Sequence, residues 1–506
     1  MNKTNVFCGI SVLSMAVCSC GEKQKIPEHP NIIYILADDL GYGDVSANYA
    51  YGKITTPNMD RLASEGMRFT DAHASSSVST PSRYGLLTGT YCFRSSVNVG
   101  AIQGYGRSLL ESGNYTVASL LKEKGYTTAV IGKWHLGLDW QLKDGRELNV
   151  DELAPRYKTG NFVTDLPREI IDFTKPPENG PLSFGFDYSY ILPASLDMEP
   201  YCYLKNDTLT APITGFTEGN DLNTGFTEAF WRAGMIAEGF DFKDVLPNFT
   251  RQAVQYIKRS AAQAQPFFLY FPMPAPHTPW LPADEFRGKS GAGAYGDFVV
   301  MTDYMVGQIL EAVKNAGIEE HTIIILASDN GPYWRTNMIE RYDHRAAGTY
   351  RGMKADAWDG GHRVPFIVKW PGHVKAGSVS NALTALPNLM ATVADIVDFD
   401  HGKLTCKDSY SILPVLLGQS NNVPNQKAIV HHSSRGHFAI RTDEWKLILG
   451  KGSGGFSTTP AQESLITEEG QLYNMKDDPS ETTNLYTTRI DIVEKLSKLL
   501  EEIQNN

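Results

Sequence analysis

The chain holds 506 residues with 57 acidic and 46 basic side chains, for a formal net charge of −11. That length exceeds what one small core needs and predicts a large α/β domain with a smaller companion. The acidic balance argues against nucleic acid, or another polyanion, held by bulk electrostatics, although a local basic pocket can still capture a single anionic group.

Residues 1–20 read as an export signal. Lys3 supplies the positive start, and Val6 to Val17 form an apolar run too short to remain in a membrane. Val17-Cys18-Ser19-Cys20 resembles a bacterial lipobox, which implies a lipid anchor on Cys20; an ordinary cleaved secretion signal is the alternative. Either reading places the mature protein outside the cytoplasm, in the periplasm or anchored to the outer membrane. Beyond the leader, Cys92, Cys202 and Cys406 are too few for a disulfide framework or a thiolate metal site and allow one bridge at most.

Residues 21–30 form a polar tether. Asn31 to Ala37 is a continuous apolar run rich in β-branched residues, as suits a strand buried on both faces of a parallel sheet. Asp38 and Asp39 follow at its C-terminal end, the edge where open α/β sheets bind ligands. Residues 56–66 predict a helix. Ser79 then precedes Pro81 and an apolar-periodic segment halted by Gly89, the asymmetry of a short helix. Ser79 is therefore expected at a helix start, where unpaired N–H groups favour negative charge, with Arg83 one turn on. A helix over 116–124 leads to a strand over 127–131, with Lys133 and His135 at its end. Residues 140–247 show weak periodicity and many prolines and aromatics. They read as an insertion over one face of the sheet that selects substrate, carrying Ser195 and Asp197 either as ligand contacts or as a surface turn.

Regular alternation resumes with a helix over 249–264 and a strand over 267–271, followed by His277 in a proline-flanked loop. A long amphipathic helix covers 295–316, and a strand over 322–327 runs into Asp329-Asn330. Lys354 precedes a strand over 364–370 and a helix over 386–397, which close a catalytic unit of residues 31–422. Short strands over 428–431, 438–441, 446–449 and 471–473, a Gly/Ser-rich loop over 450–457 and a helix over 490–502 predict an α+β subdomain at 423–506.

Each motif alone has an ordinary reading. Ser-x-Pro-x-Arg is common in turn-plus-helix starts, Asp38-Asp39 suits two solvated loop acids, and Lys-x-His suits a surface strand end. Together, Asp38, Asp39, Asp329 and Asn330 make an all-oxygen donor set that selects a hard cation, Ca²⁺ over Mg²⁺.

Ser79-Thr80-Pro81-Ser82-Arg83-Tyr84-Gly85-Leu86-Leu87-Thr88-Gly89 resembles the signature of type I, formylglycine-dependent sulfatases of the alkaline-phosphatase-like superfamily. Gly125 to His135 matches that family's second signature. The resemblance implies a large mixed, mostly parallel sheet sandwiched by helices. It implies oxidation of Ser79 to formylglycine (3-oxoalanine) by an anaerobic-type maturating enzyme, and one Ca²⁺ held by Asp38, Asp39, Asp329, Asn330 and position 79. Implied catalytic residues are Ser79, Arg83, Lys133, His135, His277 and Lys354. The formylglycine hydrate would attack sulfur to give a covalent sulfo-enzyme. Proton donation by His277 and a grip by Lys354 would favour departure of the sugar oxygen, and His135 would then assist release of sulfate. Asp359 stands where glutamate is commoner in the family, a departure that bears on the setting of Lys354.

The resemblance implies sulfated saccharide substrates, with galactose or N-acetylgalactosamine 6-O-sulfate preferred. Ser195 is similar to a sulfate-contacting serine of the family and Asp197 would read a substrate hydroxyl, while Tyr105, Trp134, Trp334, Arg335, His344 and Arg435 are the candidate sugar contacts. Two other readings stand beside it. One is a phosphodiesterase or phosphonate monoester hydrolase of the same superfamily, although Asn330 occupies the place where two-zinc members carry histidine. The other is a lipoprotein that binds sulfated glycans without turnover.

Overall fold

The computed structural model describes Met1 and residues 29–97, 99–146, 166–220 and 229–506. The export leader, Cys20 and most of the tether lie outside the described residues. Five runs of apolar and β-branched residues form the centre of a ten-stranded sheet: Thr322–Ser328, Asn31–Ala37, Phe267–Pro272, Thr127–Lys133 and Tyr188–Leu192, parallel and in that order. Phe366–Lys369 adds antiparallel to Thr322–Ser328, followed by the short strands Met67–Phe69 and Ser378–Ser380. The hairpin Leu204–Lys205 and Thr208–Leu209 closes the other edge.

Alternation along the buried strand Asn31–Ala37 divides the core in two. Ile32, Tyr34 and Leu36 point into one apolar cluster with Leu86, Val117 and Val393; Ile33, Ile35 and Ala37 point into another with Met59, Phe249 and Val299. Helices therefore cover both faces: Ser79–Thr88, Val117–Glu123 and Leu389–Ile396 on one, Pro57–Glu65, Val245–Ala261 and Gly293–Asn315 on the other. Burial on both faces is why the central strands are nearly continuous in apolar residues.

A four-stranded antiparallel sheet (Ile429–His432, Phe438–Arg441, Trp445–Leu449, Gln471–Asn474) packs with the amphipathic helix Ile490–Asn505 through Val430, Ile440, Leu447, Leu496 and Leu500. The expected helix over 386–397 opens instead as a 3₁₀ turn, Leu386–Asn388, with Pro387 inside it, before the α-helix Leu389–Ile396. Residues 140–247 are more regular than their sequence suggests, because Tyr188–Leu192 belongs to the main sheet and Ile213–Thr217 pairs with Gly234–Ala237. Cys92, Cys202 and Cys406 are free thiols. Among the described residues no helix is long and apolar enough to cross a membrane.

Candidate active site

The C-terminal ends of the five parallel strands meet at one edge, where Asp38, Lys133, His277 and Asp329 lie at or just beyond them. Ala37 and Ser328 are register partners, so Asp38 and Asp329 emerge side by side. The Asp39 backbone N–H donates to Asp329 Oδ1 at 3.2 Å, and Asp39 takes a positive φ of 62° to make that turn. Asn330 Nδ2 donates to Asp39 Oδ1 at 2.7 Å, which leaves Asn330 Oδ1 3.4 Å from Ser79 Oγ. Gly331 allows the next loop to close over this turn: a Cβ there would lie 1.9 Å from the Gly360 carbonyl oxygen.

Ser79 is the first residue of the helix Ser79–Thr88, behind Val78, with its Oγ 3.2 Å from Asp38 Oδ1. Lys133, at the end of its strand, puts Nζ 2.6 Å from Asp38 Oδ2, 3.4 Å from Ser79 Oγ and 3.2 Å from Ser195 Oγ. Arg83, fully buried one helical turn after Ser79, donates through Nε and Nη2 to Asp329 Oδ2 at 3.0 and 2.7 Å. Lys354 Nζ reaches Asp39 Oδ2 at 2.8 Å from the far side.

Three buried carboxylates thus face two buried cations, Arg83 and Lys133, and the partly buried Lys354. Burial alone would raise the Asp38 carboxyl, but Lys133, His277, Arg83 and Lys354 outweigh it and hold Asp38 well below the usual carboxylate range. Burial depresses Lys354 less than Asp39 and Asp38 raise it, so its ammonium form is favoured.

The two histidines present different edges. His135 donates from Nε2 to the Ile102 carbonyl at 2.7 Å, so its Nδ1 carries the lone pair; that atom is buried and has no hydrogen-bond partner. Burial, with Lys133 and Arg83 nearby, pushes His135 well below the usual imidazole range and keeps it neutral, fit to accept a proton. His277 donates from Nδ1 to the Thr278 carbonyl at 2.7 Å, which turns Nε2 towards Asp39 Oδ2, 3.7 Å away.

Ser79, His135, His277 and Lys354 line one cavity of about 440 Å³. Its outer wall comes from other elements: Asp197 and Arg232 from the segment after Tyr188–Leu192, Tyr333 after Asn330, and Arg435 and Phe456 from the C-terminal region. Asp38, Asp39 and His277 bring donor atoms within 4.8 Å of one another, a candidate metal site. Asp38, Asp39 and Asp329 with the Asn330 amide oxygen fit a hard divalent cation by donor chemistry.

The sugar contacts expected from sequence divide. Asp197 and Arg435 line the cavity, and Ser195 sits just beneath it between Lys133 and His277. Trp134 does not reach it. Its indole is wholly buried in the cluster of Phe186 and Phe268, because alternation at the strand end turns it away from Lys133. His344 is locked in the core by Asp44 Oδ1 at 2.7 Å and the Lys53 backbone N–H at 3.1 Å. Tyr105 donates to Glu199, and Trp334 donates to the His344 carbonyl while packing on Tyr295. Arg335 lies over the Tyr333 ring and is not among the cavity-lining residues. Asp359 does not line the cavity either: it holds Lys446 and Arg363 in a buried network.

Sequence reasoning missed Arg232, Tyr333 and Phe456. Arg232 had no periodic signal around it, Tyr333 looked like any loop aromatic, and Phe456 sits in the Gly/Ser-rich loop. A two-metal site needs a second set of ligands at the cleft. The other histidine–carboxylate cluster among the described residues, His73, Asp359 and His362, lies instead in that buried network, with Lys446 Nζ 3.0 Å from His362 Nε2.

The chain is similar to known proteins over nearly its whole length. The sulfatase family model matches residues 30–399, and the model described as N-sulphoglucosamine sulphohydrolase, C-terminal, matches residues 354–506. An N-acetylgalactosamine-6-O-sulfatase of Bacteroides thetaiotaomicron is 32% identical, over 94% of this chain and 93% of the relative. Human arylsulfatase A is also 32% identical, over 90% of this chain and 83% of its own length. A solved structure from work on glycosaminoglycan metabolism by Bacteroides thetaiotaomicron superposes with a TM-score of 0.80 at 31% identity, covering 94% of this chain and 100% of that one. A family match over most of the sequence, a shared sheet and a cleft floor built from both signatures lead to one conclusion: this chain belongs to the sulfatase family and is a sulfuric ester hydrolase.

Proposed function

We propose that the protein removes sulfate from carbohydrate esters, with galactose or N-acetylgalactosamine 6-O-sulfate as the preferred group. One observation carries the reading: Ser79 Oγ lies among Asp38, Asn330 and Lys133 at the floor of a cavity large enough for a monosaccharide unit. Kinship with an N-acetylgalactosamine-6-O-sulfatase supports the choice of sugar.

Asp38, Asp39, Asp329 and Asn330 would hold one Ca²⁺, which supplies charge neutralisation and a Lewis acid beside position 79. Ser79 matured to formylglycine by an anaerobic-type enzyme would supply a pair of hydroxyls, one to attack sulfur and one to let it go. Lys133, Lys354 and the Ser195 hydroxyl would bind the sulfate oxygens, and the positive charge of the lysines favours the crowded transition state over water. Arg83 holds Asp329 in place and adds positive charge beneath position 79. His277 gives its Nε2 proton to the departing sugar oxygen, which would otherwise leave as a poor alkoxide leaving group. His135 takes a proton at its open Nδ1 when sulfate is released. Lys3, the apolar run after it and Cys20 support export and lipid anchoring, so these steps would take place outside the cytoplasm.

The test is mass spectrometry of the peptide spanning Ser79, from cells with and without the maturating enzyme, paired with sulfate release from a panel of sulfated monosaccharides. The expected peptide is lighter by two hydrogens, and release tracks that species. Turnover by the unmodified serine form, or phosphate-ester cleavage exceeding sulfate-ester cleavage, would sink the reading.

A further inference from the structure

We propose that Thr80 is a positioning residue for sulfate release: its hydroxyl sets the orientation of His135, so that the open Nδ1 edge of the imidazole is held towards position 79. The proposal rests on the sulfatase reading above and deepens the part that His135 plays in it.

Thr80, Ile102 and His135 close a ring of hydrogen bonds. The Ile102 N–H donates to Thr80 Oγ1 at 3.1 Å, Thr80 Oγ1 donates to the His135 backbone carbonyl at 3.0 Å, and His135 Nε2 donates to the Ile102 carbonyl at 2.7 Å. Thr80 and Ile102 are fully buried and neither lines the cavity, whereas Ser79 and His135 both do. Thr80 therefore acts only through its neighbours. Its hydroxyl has one proton, which the His135 carbonyl takes, while the Ile102 amide fills an acceptor lone pair. One side chain thus fixes His135 twice, directly at the main chain and at Nε2 by way of Ile102.

That double hold matters for three reasons. His135 takes a positive φ of 57°, a backbone state that a non-glycine residue keeps only where its surroundings impose it. A neutral imidazole carries one N–H, and the Ile102 carbonyl commits it to Nε2, so the buried Nδ1, which has no partner, is left as the acceptor. Thr80 is also the residue after Ser79, in the first turn of the same helix. The reacting position and the support of its base therefore move as one unit.

When sulfate leaves, the remaining hydroxyl on position 79 gives its proton to Nδ1. Its oxygen forms the carbonyl double bond, and the electron pair of the carbon–oxygen bond departs with sulfate. The preceding attack on sulfur makes no use of Nδ1. Loss of the Thr80 hydroxyl should slow release and spare attack.

kcat and KM are to be measured for the full, matured chain as wild type, Thr80→Val and Thr80→Ser, per chain shown by peptide mass to carry the modification at Ser79. In Thr80→Val, kcat should fall about 100-fold and KM with it, leaving kcat/KM within about 3-fold of wild type. The Ser79 peptide from quenched turnover should still carry a sulfuryl group. Thr80→Ser, which keeps the hydroxyl, should restore kcat to within about 3-fold, a pattern that a merely structural hydroxyl would not give. The unmodified serine form supplies a measurement free of turnover. Nitrogen NMR of histidine-labelled wild type, with the His135 ring assigned by its loss in His135→Gln, should show the proton on Nε2 and a bare Nδ1. A proton on Nδ1 overturns the proposal without any Thr80 variant. So does a Thr80→Val kcat within about 3-fold of wild type, or a fall in kcat/KM with no sulfuryl-bearing peptide. Wild type that carries the modification and releases no sulfate from any ester removes the underlying reading, and this proposal with it.

Discussion

Arg83 and Asp329 form a fork in which two guanidinium nitrogens share one carboxylate oxygen, at 3.0 and 2.7 Å, with both side chains wholly buried. Removing one member of such a pair strands the other charge out of water, at a cost of about 3–5 kcal/mol. Arg83→Ala should therefore unfold at markedly lower urea than wild type, with Arg83→Lys in between because an ammonium restores charge and loses the fork. Equilibrium denaturation decides it: an alanine variant within about 1 kcal/mol of wild type would contradict the pairing.

Cation removal tests the cluster that Arg83 supports. With Asp38, Asp39 and Asp329 gathered beside Asn330, stripping divalent ions with a chelator should lower the melting temperature and abolish sulfate release, and Ca²⁺ should restore both. Mg²⁺ should restore less, since it demands a tighter octahedron. Asp39→Asn should blunt the response. A melting temperature indifferent to chelation would remove the ion from the site.

Acid should destabilise the fold through three histidines that do not line the cavity. His73, His362 and His431 are fully buried, and burial is the first cause holding each below the usual imidazole value, opposed for His73 by Asp71 and reinforced for the other two by Lys446. Each is neutral when folded and gains a proton when unfolded below about pH 6.5, so stability is full above that pH and falls as pH drops through it. The slope is about 1.4 kcal/mol per pH unit for each of His362 and His431, which are held well below the usual range, and smaller for His73, where Asp71 opposes the shift. His431→Phe, which replaces a ring whose two nitrogens have no partner, should remove one proton from the slope between pH 6.5 and 5. Parallel stability curves for variant and wild type would refute the assignment.

A carboxyl at the sheet edge makes the opposite prediction. Asp207, in the hairpin between Leu204–Lys205 and Thr208–Leu209, has a positive φ of 63°, an Oδ1 with no partner, and a pKa pushed up to about 6 by burial. A carboxyl raised in the folded state costs nothing below pH 4 and most above pH 6, by roughly 1 kcal/mol once partial exposure is allowed for. Asparagine tolerates that backbone, so Asp207→Asn should raise the melting temperature at pH 8 and leave it unchanged at pH 4. Equal gains at both values would point to something other than charge.

The cleft floor was legible in the sequence and its walls were not. Asp38, Lys133 and Asp329 each follow a run whose apolar continuity marks a central parallel strand, and the fold rule for such sheets brings their ends together. Ser79 announced itself by local helix chemistry. Arg232 and Phe456 reach the cavity only through contacts made far along the chain, which no local pattern encodes. Trp134 and His344 misled for a related reason: proximity in sequence to a motif says nothing about which side of the sheet a ring will take. The strand Tyr188–Leu192, which carries Ser195 and Asp197 to the site, was hidden among aromatics and prolines that broke its alternation.

Arg435 and Phe456 approach the cavity mouth from the C-terminal region, while Ser79, Asp38 and Lys133 stand on the scaffold of the large sheet. The large sheet contributes to the cavity wall as well, through Asp197 and Arg232, so both parts of the chain touch whatever fills the cavity. Exchanging the C-terminal region for that of a relative should alter which sugars are accepted and leave the Ser79 floor in place, provided the buried Asp359–Lys446 pair across the seam is kept.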